Sequence, residues 1–364
     1  MASIGFLRPS MMAQNVMIPA PKFTEKNLKN LAGKVYLITG ANAGVGKELT
    51  RILYTQNATV FMACRSQAKC EKAMEDVKAA APSSTGALHF VQIDLGDLRT
   101  IKPAVESFLA KAKRLDVLFN NAGVMLPPSG TTTTVQGFDL QLGTNTVAPF
   151  LLTQLLTPIL QATAKDETAA GNPAGVRVVW VASMAAELYS GKNGVDMTNL
   201  PMGSKTYARP ISDPMELYGN SKAGSYLHSV EYARRHKADG IVSVAANPGN
   251  LDSDLYRSIG GRQEDKPQQQ EQEVGLSWYQ RAAMKYFRTQ MLHPPVYGAY
   301  TELFAGLSPD VTLDKSGAWI GPWGRFFGMR SDIASYGKPK SECGGKGGAE
   351  AFWTWTTGHV KEFA

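Results

Sequence analysis

The sequence is poor in the residues from which disulfide frameworks and metal sites are built. Its 364 residues include only three cysteines, Cys64, Cys70 and Cys343, and five histidines. So few and so irregularly spaced cysteines argue against a disulfide framework or a zinc site, and no histidine lies at metal-ligand spacing from a cysteine or a second histidine. We therefore expect no bound metal, and the cysteine content favours the reducing cytoplasm.

A long apolar run is missing from the N-terminal region. Residues 1–30 hold no stretch near the roughly twenty apolar residues that a membrane span requires. The apolar positions of M-A-S-I-G-F-L are broken by Arg8 and Pro9 before a secretory segment forms. We expect residues 1–32 to be an extension, flexible or packed on the surface, with peripheral membrane contact as the alternative and no integral membrane span.

The charge is not concentrated as nucleic-acid binding would require. The 38 Lys and Arg residues outnumber 31 Asp and Glu residues, for a net charge of +7, but the basic residues are scattered among acidic ones. A nucleic-acid-binding protein gathers them into a patch or stripe. We expect no nucleic-acid partner, and a mildly basic surface suits an anionic cofactor.

From Lys34 onward, short β-branched runs alternate with longer stretches of helical spacing. The predicted strands are Lys34–Thr39, Thr59–Cys64, Leu88–Gln92, Val117–Asn120, Arg177–Ala182 and Val242–Asn247. The predicted helices are Val45–Gln56, Gln67–Ala80, Leu98–Ala112, Phe138–Leu156 and Pro214–His236. This alternation predicts an α/β fold, a single doubly wound Rossmann-type domain over residues 33–364 with a parallel sheet.

Two long segments and a tail interrupt or follow that rhythm. Residues 183–217 and 250–295 are predicted to be substrate or lid loops, because connections of that length are usually functional. Their aromatic residues indicate a large apolar pocket or packing against the core: Tyr189, Tyr207, Trp278, Tyr279, Tyr286 and Phe287. In the C-terminal extension, residues 325–364, the apolar positions of A-F-W-T-W predict a closing helix docked on the core, with a partner-binding helix as the alternative. A short strand is predicted just before it, at A-W-I-G.

A glycine-rich loop follows the first predicted strand. Gly40, Gly44 and Gly46 stand between V-Y-L-I-T and the next helix, where glycine permits close backbone approach and the helix N-terminus offers amides to a pyrophosphate. Gly46 is followed by Lys47, as in a nucleoside-triphosphate loop, but Glu48 replaces the magnesium-binding hydroxyl, which opposes a phosphotransferase. The loop predicts a dinucleotide site.

The end of the second strand indicates which dinucleotide. Arg65 stands in F-M-A-C-R-S where an acidic residue would bind the ribose hydroxyls of NAD, whereas Arg favours a 2′-phosphate. Ser66 offers a further hydroxyl to that phosphate. We expect NADP(H).

Tyr218 and Lys222 are four residues apart, so on a helix they project from one face. A phenol is a poor base at neutral pH, but an adjacent ammonium stabilises the phenolate. Tyr218 is therefore a candidate acid in carbonyl reduction or base in alcohol oxidation.

Five motifs occur in a fixed order: T-G-x-x-x-G-x-G, I-D-L, N-N-A-G, V-A-S and Y-G-N-S-K. Over about residues 33–255 they resemble the short-chain dehydrogenase/reductase family, and C-R-S resembles its retinol-dehydrogenase and carbonyl-reductase branch. The run Y-G-N-S-K-A-G-S-Y-L-H also resembles fungal biosynthetic dehydrogenases.

The resemblance implies a role for each matched residue. The catalytic set is Asn145, Ser183, Tyr218 and Lys222. The family usually has another Ser directly before the catalytic Ser, and here that position is Ala182. Lys222 is expected to hold the nicotinamide ribose, Asp94 to contact the adenine ring, and N-P-G-N-L-D-S to bind the carboxamide. The predicted cofactor-binding residues are Gly40, Asn42, Ala43, Gly44, Val45, Gly46, Arg65, Ser66, Asp94, Leu95, Asn121, Ala122, Gly123, Tyr218, Lys222, Pro248, Gly249, Leu251 and Ser253.

The function implied is an NADP(H)-dependent oxidoreductase acting on the carbonyl or alcohol of a bulky, apolar small molecule. The alternative is a protein of this fold that carries out a non-redox step, such as isomerisation, or only binds cofactor. Family members usually assemble through the helices that hold Phe138–Leu156 and Tyr218–His236, so a homodimer is expected unless the tail caps that surface.

Overall fold

The computed structural model describes residues 9–127, 132–200, 211–253 and 292–364, which form one eight-stranded sheet with helices packed on it. The strands are β1 (Val35–Thr39), β2 (Thr59–Cys64), β3 (Ala87–Gln92), β4 (Val117–Asn120), β5 (Val176–Val181), β6 (Ile241–Ala246), β7 (Trp319–Gly321) and β8 (Arg325–Phe327). The α-helices are α1 (Pro9–Asn15), α2 (Gly44–Thr55), α3 (Gln67–Ala80), α4 (Ile101–Leu109), α5 (Ala148–Ala169), α6 (Ala185–Leu188), α7 (Pro214–His236), α8 (Pro295–Leu307), α9 (Ser331–Gly337) and α10 (Gly348–Val360). A helical turn, Leu140–Leu142, and a π-helical turn, Gly143–Val147, lead into α5.

The strand order is β3-β2-β1-β4-β5-β6-β7-β8. Strands β1 to β7 are parallel, and β8 runs antiparallel to β7. Because β1 pairs with both β2 and β4, the winding direction reverses there, and ligands of such sheets bind outside the carboxyl ends of the strands at this point.

Each face of the sheet has its own apolar core. Neighbouring residues alternate between them, so that Leu37 and Val178 belong to one cluster and Ile38 and Val179 to the other. Strands β4, β5 and β6 are buried along their whole length, which is typical of parallel strands covered on both sides. The predicted doubly wound parallel sheet is confirmed.

Several elements differ from the sequence-based expectation. The helix expected at Phe138–Leu156 begins two residues later, passes through the π-helical turn and continues beyond Pro158 to Ala169. The helix expected at Leu98–Ala112 begins as a 3₁₀ turn, Leu98–Thr100, and α4 ends at Leu109. Helices α1, α6, α8 and α9 and strand β8 were not predicted.

The two termini both pack into the molecule. Met11, Gln14 and Asn15 of α1 are buried, so this part of the extension is set more deeply than surface packing implies. As predicted, α10 docks on the core, where its Phe352 and Trp353 pack with residues of α5 and α7.

One helical stretch, Leu140–Ala169, is long and apolar enough to cross a membrane by length and composition. Of its most apolar window, 67% is buried inside the protein. This stretch therefore belongs largely to the protein core.

Candidate active site

The glycine loop joins β1 to α2. Gly40 and Gly44 have positive φ, +68° and +53°, in the left-handed region that glycine adopts without strain. The N-cap residue of α2, Ala43, makes no side-chain capping bond. Asn42 and Ala43 directly precede the N-terminus of α2. The first amides of this helix are not capped by a side chain, so they can bind a phosphate.

Gly46 lies where the loop meets the end of β4. A Cβ at Gly46 would come within 2.6 Å of both Gly40 O and Asn121 Nδ2, so no other residue fits there. Asn121 Nδ2 donates a hydrogen bond to Thr39 O (2.7 Å), and Ala122 N donates one to Thr39 Oγ1 (3.0 Å). Asn121 and Ala122 therefore hold the start of the loop in place. The sequence predicted both as cofactor-binding residues but did not predict these contacts with Thr39.

The segment after β6 closes against the same loop. Gly249 has a φ of +90°, and the Cβ of Ser253 lies 3.7 Å from where a Cβ on Gly44 would stand. Leu251 is buried and packs with Val45 against Gly298 of α8, where any side chain would overlap both. The structure thus brings the predicted carboxamide segment and the glycine loop together.

The outer end of the predicted cofactor site lies at β2 and β3. Arg65 and Ser66 are exposed, and Ser66 Oγ accepts a hydrogen bond from Lys69 N (3.4 Å) at the start of α3. Asp94 is half-buried, its Oδ1 accepts a hydrogen bond from Gly96 N (2.9 Å), and the next residue, Leu95, is buried. Because β1, β2 and β3 are neighbours, these residues form one edge with the glycine loop.

Tyr218 and Lys222 lie on α7, and both are buried. Lys222 Nζ donates a hydrogen bond to Val181 O (2.8 Å) at the end of β5 and lies 5.8 Å from the centre of the Tyr218 ring. A Cβ at Gly123 would lie 3.1 Å from Lys222 Nζ and 3.2 Å from Asn145 Oδ1. Burial lowers the pKa of Lys222 to about 8. The ammonium group beside the Tyr218 phenol therefore titrates about one pH unit above neutrality.

Asn145 occupies the π-helical turn before α5, a feature often found at functional sites. Its Oδ1 accepts a hydrogen bond from Val124 N (2.8 Å), and its Nδ2 donates to Ser221 Oγ (2.9 Å). Ser221 Oγ in turn donates to Tyr218 O (2.8 Å). Asn145 is therefore locked to the turn of α7 that carries Tyr218.

Ser183 follows β5 and is half-buried, and its Oγ accepts a hydrogen bond from Ala185 N (3.2 Å). Next to it, an apolar cluster surrounds Tyr218. Its members are Met125, Leu126, Ala185, Tyr189, Met215 and Tyr218. The Tyr218 ring thus packs in an apolar cluster beside Ser183.

Sequence reasoning missed Gln141, which connects two parts of this cluster. It is buried, its Oε1 accepts a hydrogen bond from Leu126 N (3.1 Å), and its Nε2 donates to Pro214 O (3.0 Å). Its only sequence signal is a polar residue inside an apolar helical stretch. The predicted loop aromatics Tyr207, Trp278, Tyr279, Tyr286 and Phe287 lie outside the described residues, whereas Tyr189 belongs to the cluster.

Within residues 9–127, 132–200, 211–253 and 292–364, no group of three or more His, Cys, Asp or Glu side chains is placed to hold a metal ion. The glycine loop instead lies against the segments that follow β4 and β6, at the carboxyl ends of the strands.

Comparison with solved structures agrees with the fold. An uncharacterised protein of Mycobacterium paratuberculosis is 26% identical, with a TM-score of 0.59 over 93% of this chain and 97% of that one. Carbonyl reductase from chicken fatty liver, solved with NADPH bound, is 20% identical, with a TM-score of 0.54 over 83% of this chain and 100% of that one.

Sequence comparison identifies the family. The profile described as short chain dehydrogenase matches residues 34–195. A short-chain dehydrogenase/reductase of Phomopsis amygdali is 49% identical over 348 residues, 94% of each chain. One of Neocamarosporium betae is 42% identical over 358 residues, 97% of this chain and 94% of that one. The chain belongs to the short-chain dehydrogenase/reductase family and is an oxidoreductase.

Proposed function

We propose that this oxidoreductase uses NADP(H) to reduce a ketone or aldehyde of a bulky, apolar small molecule, or to oxidise the corresponding alcohol, with Tyr218 as the acid or base. The observation that carries the proposal is the buried Lys222 ammonium 5.8 Å from the Tyr218 ring, close to both Gly123 and Asn145. A member of the fold that only binds ligand has no need of this pair, and here the pair and the three loop glycines are present.

The bound cofactor supplies the hydride, and the chain supplies the proton and the electrostatics. In reduction, the Tyr218 hydroxyl donates its proton to the carbonyl oxygen as negative charge develops there. The Ser183 hydroxyl donates a hydrogen bond to the same oxygen. Lys222 is mostly protonated at neutral pH, because its pKa is about 8, and its positive charge favours the phenolate left on Tyr218.

Several features of the chain fit the cofactor. Gly46 leaves no room for a side chain beneath the loop, which permits close backbone approach. Asn145 and Ser221 fix the backbone of the turn that carries Tyr218, and Lys222 Nζ lies beside Gly123. Arg65 and Ser66 are exposed, so both side chains are accessible to a 2′-phosphate.

Arg65→Ala is expected to weaken NADPH binding by about 10- to 100-fold, the size of a lost charge-assisted contact. NADH lacks the 2′-phosphate, so its affinity should change by less than about threefold. Titration of both cofactors by fluorescence measures the two dissociation constants. Lys72→Ala, which removes an exposed cation farther along α3, is the matched control. Equal losses for NADPH and NADH in the Arg65 variant would reject the cofactor assignment.

The substrate class follows from the apolar cluster around Tyr218. Met125, Leu126, Tyr189 and Met215 offer apolar and aromatic contact and no charge, which supports a large apolar carbonyl compound as the substrate. The test is NADPH consumption over a panel of ketones and aldehydes graded in size, with product identification. Turnover that rises with apolar bulk supports the proposal, and consumption confined to small polar carbonyls contradicts it.

Assembly and location are parts of the same proposal. Because α10 covers α5 and α7, we place any homodimer contact on another surface. The described cysteines are free thiols, two of them buried and Cys343 exposed, which supports the reducing cytoplasm.

A further inference from the structure

We propose that α1 is part of the active-site scaffold and that Gln14 is a positioning residue for the turn Asn247–Pro248–Gly249. The inference rests on the proposed function, because this turn is the expected binding segment for the nicotinamide carboxamide. It assigns a role to a helix that lies more than two hundred residues before that turn in the sequence.

Gln14 is almost completely buried, with 1% of its surface exposed. Its amide group bonds to three parts of the chain: α6, β7 and the segment after β6. Its Nε2 donates a hydrogen bond to Glu187 Oε2 (2.9 Å) on α6. Its Oε1 accepts from Trp319 Nε1 (2.9 Å) on β7 and from Asn247 Nδ2 (3.2 Å) after β6. Both ends of the amide are therefore used, which fixes its orientation.

Asn247 receives its own orientation from α1. Its Nδ2 donates to Gln14 Oε1 and also to Asn15 Oδ1 (2.9 Å). With two acceptors at one end, the opposite end of the amide, Oδ1, must face the turn, where it accepts from Gly249 N (3.1 Å). In a flipped amide, Nδ2 would instead face the Gly249 N–H group, and Oδ1 would face the two acceptor oxygens of Gln14 and Asn15. The φ of +90° at Gly249 is held by this bond.

Helix α1 is itself held in place from outside. Arg325 Nη1 donates to Ala13 O and its Nη2 donates to Gln14 O, each at 2.9 Å. Glu187, the other partner of Gln14, lies four residues after Ser183 and is half-buried. Through Gln14, the segments that follow β5 and β6 are therefore tied together, one carrying Ser183 and the other Pro248 and Gly249.

The test is an exchange of donor and acceptor between positions 14 and 187. In Gln14→Glu the new carboxylate still accepts from Trp319 and Asn247, but it faces the Glu187 carboxylate without a donor. In Glu187→Gln the Gln14 amide still finds an acceptor. The double variant Q14E/E187Q restores one donor and one acceptor, with the direction of the bond reversed.

We expect Gln14→Glu to lower kcat/KM for NADPH-dependent reduction by at least about 30-fold at pH 8, since the new buried carboxylate faces the half-buried Glu187 carboxylate with no proton between them. The loss should shrink as the pH falls and the pair shares a proton. Glu187→Gln and the double variant should stay within about fivefold of the wild type, as should Met17→Ala, a control at an exposed position next to α1. A wild-type pH profile for Gln14→Glu, or no recovery in a folded double variant, would overturn the proposal.

A second measurement separates this inference from the proposed function. Amide hydrogen exchange of the segment that contains Gly249 should be faster in Gln14→Glu and return to the wild-type rate in the double variant. If the wild type shows no NADPH-dependent turnover, the proposed function fails, and the exchange rates alone decide the role of Gln14. If Gln14→Glu does not fold, Gln14→Met decides: faster exchange is expected, and an unchanged rate overturns the proposal.

Discussion

Tyr218→Phe is expected to lower kcat for carbonyl reduction by about a thousandfold, within the range that general acid catalysis contributes. The substitution removes the hydroxyl that we propose donates the proton and leaves the ring, which is 4% exposed and packs with Met125 and Ala185. Because no packing volume is lost, the free energy of unfolding should change little. Steady-state kinetics with the best carbonyl substrate measures kcat, and fluorescence titration measures the NADPH dissociation constant, which should stay within a few-fold.

The matched control is Tyr232→Phe on the same helix. Tyr232 is fully buried, and its hydroxyl lies 3.0 Å from Thr157 Oγ1, away from the catalytic pair. This variant loses one buried hydrogen bond, about 1 kcal/mol of stability, and keeps its turnover. Activity within a few-fold of the wild type in Tyr218→Phe would remove Tyr218 from the mechanism.

Local patterns were enough to predict the elements that position this pair. The helix Pro214–His236 has the bounds expected from the sequence, with Asp213 capping its first turn and proline at its start. The strands of the parallel sheet were predicted to within about one residue, because strands buried on both faces are continuous apolar runs. The helix was expected to end at Leu156, and this was wrong. A proline usually ends a helix, but α5 continues past Pro158 to Ala169.

Contacts between distant parts of the chain were not predictable from these patterns. Gln14 and Asn247 each look like an ordinary polar residue, and their bond depends on α1 lying against the ends of β6 and β7. The motifs located Gly46 and Asn121, but they did not show that the two residues are in contact. Any side chain at position 46 would clash with Asn121. Sequence spacing predicts which residues share an element, whereas contacts between elements follow from the assembled fold.

Glu302 is the clearest example of a residue that only the fold reveals. It lies on α8 with 0% of its surface exposed, and neither carboxyl oxygen has a hydrogen-bond partner in the part of the chain described. It stands one helical turn from Gly298, which packs on Val45, and one from Gly306, which packs on Phe119. Burial raises the pKa of Glu302 to about 8, and the charge of Lys222 acts in the opposite direction. At neutral pH the side chain is a neutral acid inside an apolar layer.

This raised pKa makes folding stability depend on pH. Between the ordinary value of 4.5 and about 8, the folded chain keeps a proton that the unfolded chain has lost, so the free energy of unfolding falls as the pH rises. The shift corresponds to about 4–5 kcal/mol at most. Lys222 has the opposite slope, because its pKa falls from 10.5 to about 8 and the unfolded chain holds the extra proton above that pH. Together the two groups place the least stable point near pH 8.

Glu302→Leu should therefore raise the free energy of unfolding by about 2–4 kcal/mol at pH 8 and change it little near pH 4.5. Urea unfolding at pH 5, 6.5 and 8 measures the difference. Glu302→Gln should flatten the same pH dependence with a smaller gain, because its buried amide stays unpaired, and Glu350→Gln, at an exposed position of α10, should leave it unchanged. Parallel pH slopes in the wild type and Glu302→Leu would show that Glu302 does not titrate in this range.

The same substitution connects stability with catalysis. Once Glu302 ionises, near pH 8, its negative charge raises the pKa of Lys222, against the lowering by burial. Without that charge, Lys222 loses its proton at a lower pH, and the alkaline limb of the kcat profile should move to lower pH with it. A buried carboxyl that lowers stability would then extend the pH range over which the Lys222 ammonium supports Tyr218. An alkaline limb that stays in place in a stabilised Glu302→Leu variant would confine Glu302 to stability alone.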